Sequence, residues 1–82
     1  MAKLPTVPGL YLEYFKGDLI GYTIVSKIDH SEELPYTISV PGDIGDYDTY
    51  DKDLLTNYSF DLIDPDTTTP EQFYKFYPEA LL

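Results

Sequence analysis

The sequence predicts a small α+β domain in which three or four antiparallel strands form a sheet and a short C-terminal helix covers one face. Two observations support this prediction. Apolar and polar residues alternate in several stretches before residue 64, as they do in half-buried strands. A helix-start pattern then follows at residues 69–72. A small all-β fold, with the helix reduced to a turn, is the alternative.

The whole chain, residues 1–82, is expected to form a single domain because its length suits one small hydrophobic core. Apolar residues make up 43% of the chain and aromatic residues 16%, which is enough for a packed fold and argues against complete disorder. Residues 1–8 contain Pro5 and Pro8, so they are predicted to be an irregular lead-in.

Residues 9–28 are predicted to form a β-hairpin. Leu10, Leu12 and Tyr14 fall on one face of its first strand. A tight turn follows at residues 16–18, where Gly17 supplies a positive φ. Gly21 in the second strand predicts a bulge or a close approach of another backbone. One face of this second strand is expected to hold Ile20, Tyr22, Ile24 and Ile28.

Two shorter strands are predicted farther along the chain. Residues 35–41 alternate cleanly, and the prolines at both ends suit an edge strand. Its inward residues are expected to be Tyr36, Ile38 and Val40, and its outward residues Thr37 and Ser39. Residues 58–63 alternate again and are the fourth candidate strand. Its apolar face holds Tyr58, Phe60 and Leu62.

A short helix is predicted within residues 69–82. Thr69 is a good N-cap, Pro70 fits the first helical position, and Gln72 completes a capping-box pattern. Pro78 limits this helix to about two turns. The helix face expected to pack on the sheet holds Phe73, Phe76 and Tyr77.

The charge of the chain is strongly negative and unevenly spread. The net charge is −10, with five lysines and no arginine, so direct binding to nucleic acid or anionic lipid is disfavoured. Residues 43–66 hold eight aspartates and one lysine, which gives this segment a net charge of −7. Its first part, residues 42–57, is predicted to be an acidic loop. A basic partner would be attracted to such a surface at low salt.

Tyrosines interleaved with aspartates suit the recognition of lysine or arginine, through charge-assisted hydrogen bonds and cation–π contacts. The candidate partner-binding residues are Asp43, Asp46, Tyr47, Asp48, Tyr50, Asp51 and Asp53. In an extended segment, residues two apart project from one face about 6.6–7 Å apart. Asp46 with Asp48, and Asp51 with Asp53, have this spacing. Phosphates along a DNA strand are separated by a similar distance, so the segment is a candidate DNA mimic.

The residues that enzymes use are sparse. There is no cysteine, and His30, the only histidine, lies in a polar stretch without a nucleophile motif such as GxSxG. An EF-hand loop starting at Asp46 fails because Tyr50 stands where an oxygen ligand is needed. We therefore predict no catalytic residue, no cofactor and no metal ligand. A non-standard calcium site in the acidic loop is a lesser alternative.

These observations predict a non-catalytic, cytoplasmic binding protein that blocks a basic, nucleic-acid-binding surface of a partner protein. Phage-encoded inhibitors of host defence and bacteriocin immunity proteins share this gross composition. The cytoplasmic location is expected because the chain lacks cysteine, a signal-peptide pattern and a long apolar run. The alternative is a small structural or assembly protein that oligomerises or docks through an apolar, tyrosine-rich face.

Overall fold

A computed structural model describes residues 3–41 and 47–78 of the chain. It shows a five-stranded antiparallel sheet of order β4-β3-β2-β1-β5 and one short C-terminal helix. The strands are β1 (Gly9–Phe15), β2 (Asp18–Ile28), β3 (Tyr36–Ser39), β4 (Asp48–Tyr50) and β5 (Tyr58–Asp64). A 3₁₀ helix spans Lys52–Leu55, and α1 spans Pro70–Phe76. The predicted sheet and helix are confirmed, whereas the predicted three to four strands are corrected to five.

The additional strand, β4, lies in the segment predicted to be an acidic loop. It has only three residues and pairs antiparallel with β3, with Tyr36 opposite Tyr50 and Ile38 opposite Asp48. A strand this short shows no alternation of its own. It forms because the edge of β3 offers it backbone hydrogen-bond partners, a tertiary effect that local patterns do not record.

The predicted hairpin is formed by β1 and β2. In its turn Lys16 and Gly17 both have positive φ, 50° and 87°, as the tight hairpin turn requires. Glu13 pairs with Gly21, but the next residue of β1, Tyr14, pairs with Leu19. Ile20, which lies between Leu19 and Gly21, is therefore an extra, bulged residue. A Cβ at Gly21 would meet open space, and its φ of 145° favours glycine. Gly21 therefore marks a bulge and not a close approach.

The two faces of the sheet are covered differently. We call one the crossover face, because residues 51–57 cross it to connect β4 at one edge with β5 at the other. Its buried cluster comprises Tyr11, Val25, Tyr36, Ile38, Leu55 and Phe60. We call the other the helix face, because α1 packs there. Its smaller buried cluster comprises Leu10, Ile24 and Phe73.

The start of α1 follows the predicted pattern closely. The hydroxyl of Thr69 accepts a hydrogen bond from the Gln72 amide at 3.1 Å. The Gln72 side chain reaches back and accepts from the amide of Thr68 at 2.7 Å, one residue before the position that a capping box uses. Donors at the helix start are thereby satisfied, which stabilises a helix of only seven residues.

The predicted face of the second strand is wrong at Ile28. Ile20 and Tyr22 are exposed, whereas Ile24 is fully buried on the helix face. Ile28 packs against the cluster of the opposite face. The cause is a second irregularity in β2, where Val25 pairs with Ile38 but Lys27 pairs with Thr37. This irregularity adds one residue to β2 relative to β3 and inverts the alternation after it.

Three other side chains differ from the predicted orientation. Ser39 is buried although it was expected to face outward, because it lies opposite Ile24 on the covered helix face. Val40 is exposed because β3 ends one residue before it. Phe76 is 60% exposed because α1 packs through a different stripe. That stripe follows the i, i+3, i+4, i+7 spacing of one helix face: Pro70, Phe73, Tyr74 and Tyr77.

Candidate functional site

The structure describes five of the seven predicted partner-binding residues. Asp43 and Asp46 lie outside the described residues. The five others follow one another along β4 and the start of the 3₁₀ helix. Tyr47, Asp48 and Asp53 are exposed, so they are accessible to a partner. Tyr50 and Asp51 are half-buried, and their contacts are described below.

Asp51 has a local structural role. It is the N-cap of the 3₁₀ helix, and its Oδ1 accepts a hydrogen bond from the Asp53 amide at 2.7 Å. Because the helix begins immediately after Asp51, the two carboxylates do not project side by side from an extended strand. The predicted carboxylate row of Asp51 and Asp53 is therefore wrong. The other predicted row pairs Asp46 with Asp48, and Asp46 lies outside the described residues.

Tyr50 belongs to both the core and the surface. Its ring packs against the crossover-face cluster, so this predicted partner-binding residue is also a packing residue. Burial raises the pKa of its hydroxyl, and nearby Asp48, Tyr58 and Glu13 raise that pKa further. A hydroxyl with two carboxylates close by lies in a region of negative potential. Tyr50 thus connects the acidic edge strand β4 with Glu13 on the interior strand β1.

These residues surround a pocket between the crossover face and residues 51–57, which we call the Glu13 pocket. Its volume is about 140 Å³. Its lining is mainly aliphatic and aromatic, and among the described residues Glu13 is the one charged member. The lining residues are Glu13, Thr23, Ile38, Val40, Tyr50, Leu54, Leu55, Tyr58 and Phe60.

Glu13 is half-buried in the middle of β1 and accepts a hydrogen bond from the Thr23 hydroxyl on the neighbouring strand. No lysine lines the pocket. Among residues 3–41 and 47–78 the one ion pair joins Lys3 Nζ to Asp61 Oδ1 at 3.2 Å, and both side chains are exposed. The carboxylate of Glu13 is therefore held by a neutral hydroxyl, with no cationic side chain against it in the described part of the chain.

Aromatic rings form the wall of the pocket on the β5 side. The Tyr58 ring lies 4.9 Å from that of Phe15 and 6.2 Å from that of Phe60, measured between ring centroids. The Phe60 ring in turn meets Tyr11 edge to face at 6.2 Å. This row fixes the position of the Tyr58 ring, because packed aromatic rings have few alternative rotamers. The pocket therefore has a packed aromatic wall on its β5 side.

Sequence reasoning did not single out Glu13 or Tyr58 as site residues. The signal for Glu13 was present, because it is the one acid within the apolar stretch LYLEYF and shares a strand face with Tyr11 and Phe15. A carboxylate on the inward side of a strand is unusual enough to mark a site. Tyr58 gave no such signal, since a tyrosine in an alternating strand is ordinarily a packing residue.

The ionisable loop residues that the structure describes are not brought together into a metal site. Within the two described ranges, no three acidic, histidine or cysteine side chains are grouped so as to hold a metal ion. His30 is exposed in the loop between β2 and β3. Beside it, the Asp29 carboxylate accepts hydrogen bonds from the hydroxyl and the amide of Ser31. These hydrogen bonds lower the pKa of Asp29 and stabilise the turn.

A second surface lies on the part of the helix face that α1 leaves uncovered. Leu19, Ile20 and Tyr22 are between 48% and 58% exposed there. A shallow groove runs from Ile20 and Tyr22 to the flank of α1 at Tyr74. This surface is apolar, and none of the described residues that line the groove is charged.

Comparison of the chain with protein-family models, with curated proteins and with solved structures found no match. No helix in the described residues is both long enough and apolar enough to span a membrane.

Proposed function

We propose that this chain is a non-catalytic acidic binding protein, which occupies a basic surface of a partner protein that otherwise binds nucleic acid. The net charge of −10 supports this proposal. The single ion pair among the described residues supports it further, because almost none of the acidic charge is neutralised internally. Uncompensated charge of one sign accelerates encounter with a partner of the opposite sign and excludes like-charged partners.

The observation that carries the proposal is the setting of Glu13. The more a carboxylate is buried, the more it needs a cation or hydrogen-bond donors beside it, because desolvation of a charge is costly. Among the described residues the Thr23 hydroxyl is the one hydrogen-bond partner of Glu13, in a pocket lined mainly by aliphatic and aromatic side chains. A cation from a partner would supply the missing partner of this carboxylate. Exposed Asp48 and Asp53 on the adjoining β4 and 3₁₀ helix extend the acidic surface outward.

We further propose that the protein acts in the cytoplasm, where a small domain without cysteine needs no disulfide. The nucleic-acid-binding site of an enzyme or a DNA-binding protein is the kind of partner surface that fits best. Such surfaces are strongly basic, and an acidic protein placed on one replaces the phosphate charges. Inhibition by occupation needs no catalytic residue.

The experiment is an affinity pull-down from nuclease-treated bacterial lysate, eluted first with duplex DNA and then with salt. We expect DNA to elute a basic nucleic-acid-binding protein. A variant with Glu13→Gln, Asp48→Asn and Asp53→Asn should lose this protein. The control variant, with Glu32→Gln, Asp66→Asn and Glu71→Gln, loses the same charge at residues that do not line the pocket and should retain it. Equal loss with both variants, or elution by salt but not by DNA, would contradict the proposal.

A second candidate function is assembly through the uncovered helix face. It is favoured by the exposure of Leu19, Ile20 and Tyr22 beside an uncharged groove. Self-association through this surface should persist at 1 M salt and disappear in the variant Leu19→Ser with Ile20→Ser, as measured by sedimentation velocity. A chain that is monomeric at all salt concentrations would remove this candidate.

A further inference from the structure

We infer that the Glu13 pocket receives one lysine side chain of the basic partner, with its ammonium group against the Glu13 carboxylate and its methylene groups against the pocket wall. This inference rests on the proposed function and specifies which contact confers selectivity. It concerns a single inserted side chain and not the acidic surface as a whole.

The charge of the pocket fits an ammonium group. Glu13 is the one charged residue of the lining within residues 3–41 and 47–78, and Tyr50 beside it lies close to Asp48. An ammonium group has three donors, so it can bond Glu13 and neighbouring oxygens together. The rings of Tyr50 and Tyr58 add cation–π attraction, which is largest where water is excluded. All five lysines of this chain are described, and none lines the pocket.

The size of the pocket fits lysine as well. Its volume of about 140 Å³ is close to that of an engineered protein cavity of roughly 150 Å³ that binds benzene, a molecule of six heavy atoms. The lysine side chain has five heavy atoms on a linear stem, and arginine has seven with a wide planar head. Ile38, Leu54 and Leu55 line the pocket and offer apolar contact to such a stem.

The test compares two peptide probes of equal charge, dodecalysine and dodecaornithine, whose side chains differ in length by one methylene group. Binding to the purified chain is measured by calorimetry at low salt. We expect wild type to prefer the lysine peptide by about fourfold or more, since the shorter side chain of ornithine buries one methylene group fewer and strains the ion pair. General electrostatic attraction would not distinguish the two peptides.

The variant Glu13→Gln should bind the lysine peptide about tenfold more weakly and lose the preference over ornithine, because a charge-assisted hydrogen bond is lost. The matched control, Glu71→Gln, removes one exposed charge from α1 and should keep both the preference and nearly all of the affinity. If Glu13→Gln does not fold, the variant Leu54→Lys replaces it in the test. Leu54 lines the pocket and is 66% exposed, so a lysine at this position would place an ammonium group at the pocket that competes with the lysine peptide.

The possible results separate the inference from the proposed function. Tight binding of both peptides with no lysine preference, and equal weakening by Glu13→Gln and Glu71→Gln, would overturn the inference and leave the proposed acidic binding protein standing. A lysine preference that depends on Glu13 would support both. Failure of the wild type to bind either peptide at low salt would overturn both.

Discussion

The two faces of this sheet differ in how they are covered and in what they expose. On the crossover face, residues 51–57 and the cluster around Phe60 form the larger core, and the opening that remains contains the Glu13 carboxylate. On the helix face, α1 is a helix of seven residues that covers Leu10 and Ile24 but leaves Ile20 and Tyr22 exposed. One face therefore presents a carboxylate beside an aromatic wall, and the other presents an apolar groove along Ile20 and Tyr22.

This difference assigns the two proposed modes of binding to opposite sides of the molecule. Association through the crossover face depends on charge and weakens as salt increases, because screening shortens the reach of the carboxylates. Association through the helix face depends on apolar burial and does not weaken with salt. Salt dependence combined with face-specific substitutions can therefore identify which side the protein uses.

The largest expected effect is on stability and compares the two cores. Phe60→Ala should lower the free energy of unfolding by about 3–5 kcal/mol, and Phe73→Ala by an amount near the lower end of that range. Phe60 is 1% exposed within a cluster of six buried residues, whereas Phe73 belongs to a cluster of three. Urea denaturation measures both values. A larger loss for Phe73→Ala would show that the helix face holds the main core.

A second prediction concerns alkaline pH and involves the crossover face alone. Burial raises the pKa values of Tyr36 and Tyr50, which lie opposite each other across β3 and β4, above their ordinary value of 10.0. The folded state then keeps protons that the unfolded state releases, so stability is retained below pH 10 and lost as pH rises through the folded-state pKa values.

Melting temperatures measured between neutral and alkaline pH test this prediction. The double variant Tyr36→Phe with Tyr50→Phe should show a smaller decrease above pH 10 than wild type. The control is Tyr47→Phe, which changes an exposed tyrosine in the same part of the chain and should reproduce the wild-type profile. A double variant with the wild-type profile would contradict the burial of these two hydroxyls.

A third prediction tests how firmly α1 holds the helix face. Thr69→Ala removes the N-cap hydroxyl that accepts from the Gln72 amide and should cost about 1 kcal/mol. Thr69→Ser keeps the accepting oxygen and should be close to wild type. Both are measured by chemical denaturation. No difference between the two variants would mean that the cap does not stabilise α1.

The smallest expected effect concerns a buried hydroxyl on the helix face. Ser39 is 1% exposed, and its Oγ has no hydrogen-bond partner among the described residues. Ser39→Ala should therefore raise the free energy of unfolding by up to about 1 kcal/mol, because an unsatisfied polar group is removed. Ser26→Ala provides the contrast, since its hydroxyl donates to the Thr37 carbonyl and its loss should destabilise. Destabilisation by Ser39→Ala would indicate that its hydroxyl is satisfied.

The local patterns in the sequence predicted the elements that local physics determines. The turn at Gly17 and the helix start at Thr69 follow from backbone and capping preferences of the residues themselves. The errors occurred where pairing between strands decides the outcome. The β2–β3 irregularity moved Ile28 to the other face, and β4 formed only because β3 offered an edge.

The candidate site was predictable in charge but not in geometry. The acidic segment containing Asp48 and Asp53 is evident from composition. The pocket is not, because it brings Glu13 on β1 beside Tyr50 and Tyr58, which are 37 and 45 residues later in the chain. Such proximity depends on the path of residues 51–57 over the sheet, and no local pattern specifies that path.

The most direct test of the face assignment is a nuclear magnetic resonance titration of the labelled protein with dodecalysine at low salt. Side-chain methyl signals report on single faces: Ile38 and Leu55 on the crossover face, Ile20 and Ile24 on the helix face. We predict that the shifts are concentrated at Ile38 and Leu55 and vanish at 1 M salt. Shifts concentrated at Ile20 and Ile24, or persisting at 1 M salt, would contradict the assignment of basic-partner binding to the Glu13 pocket.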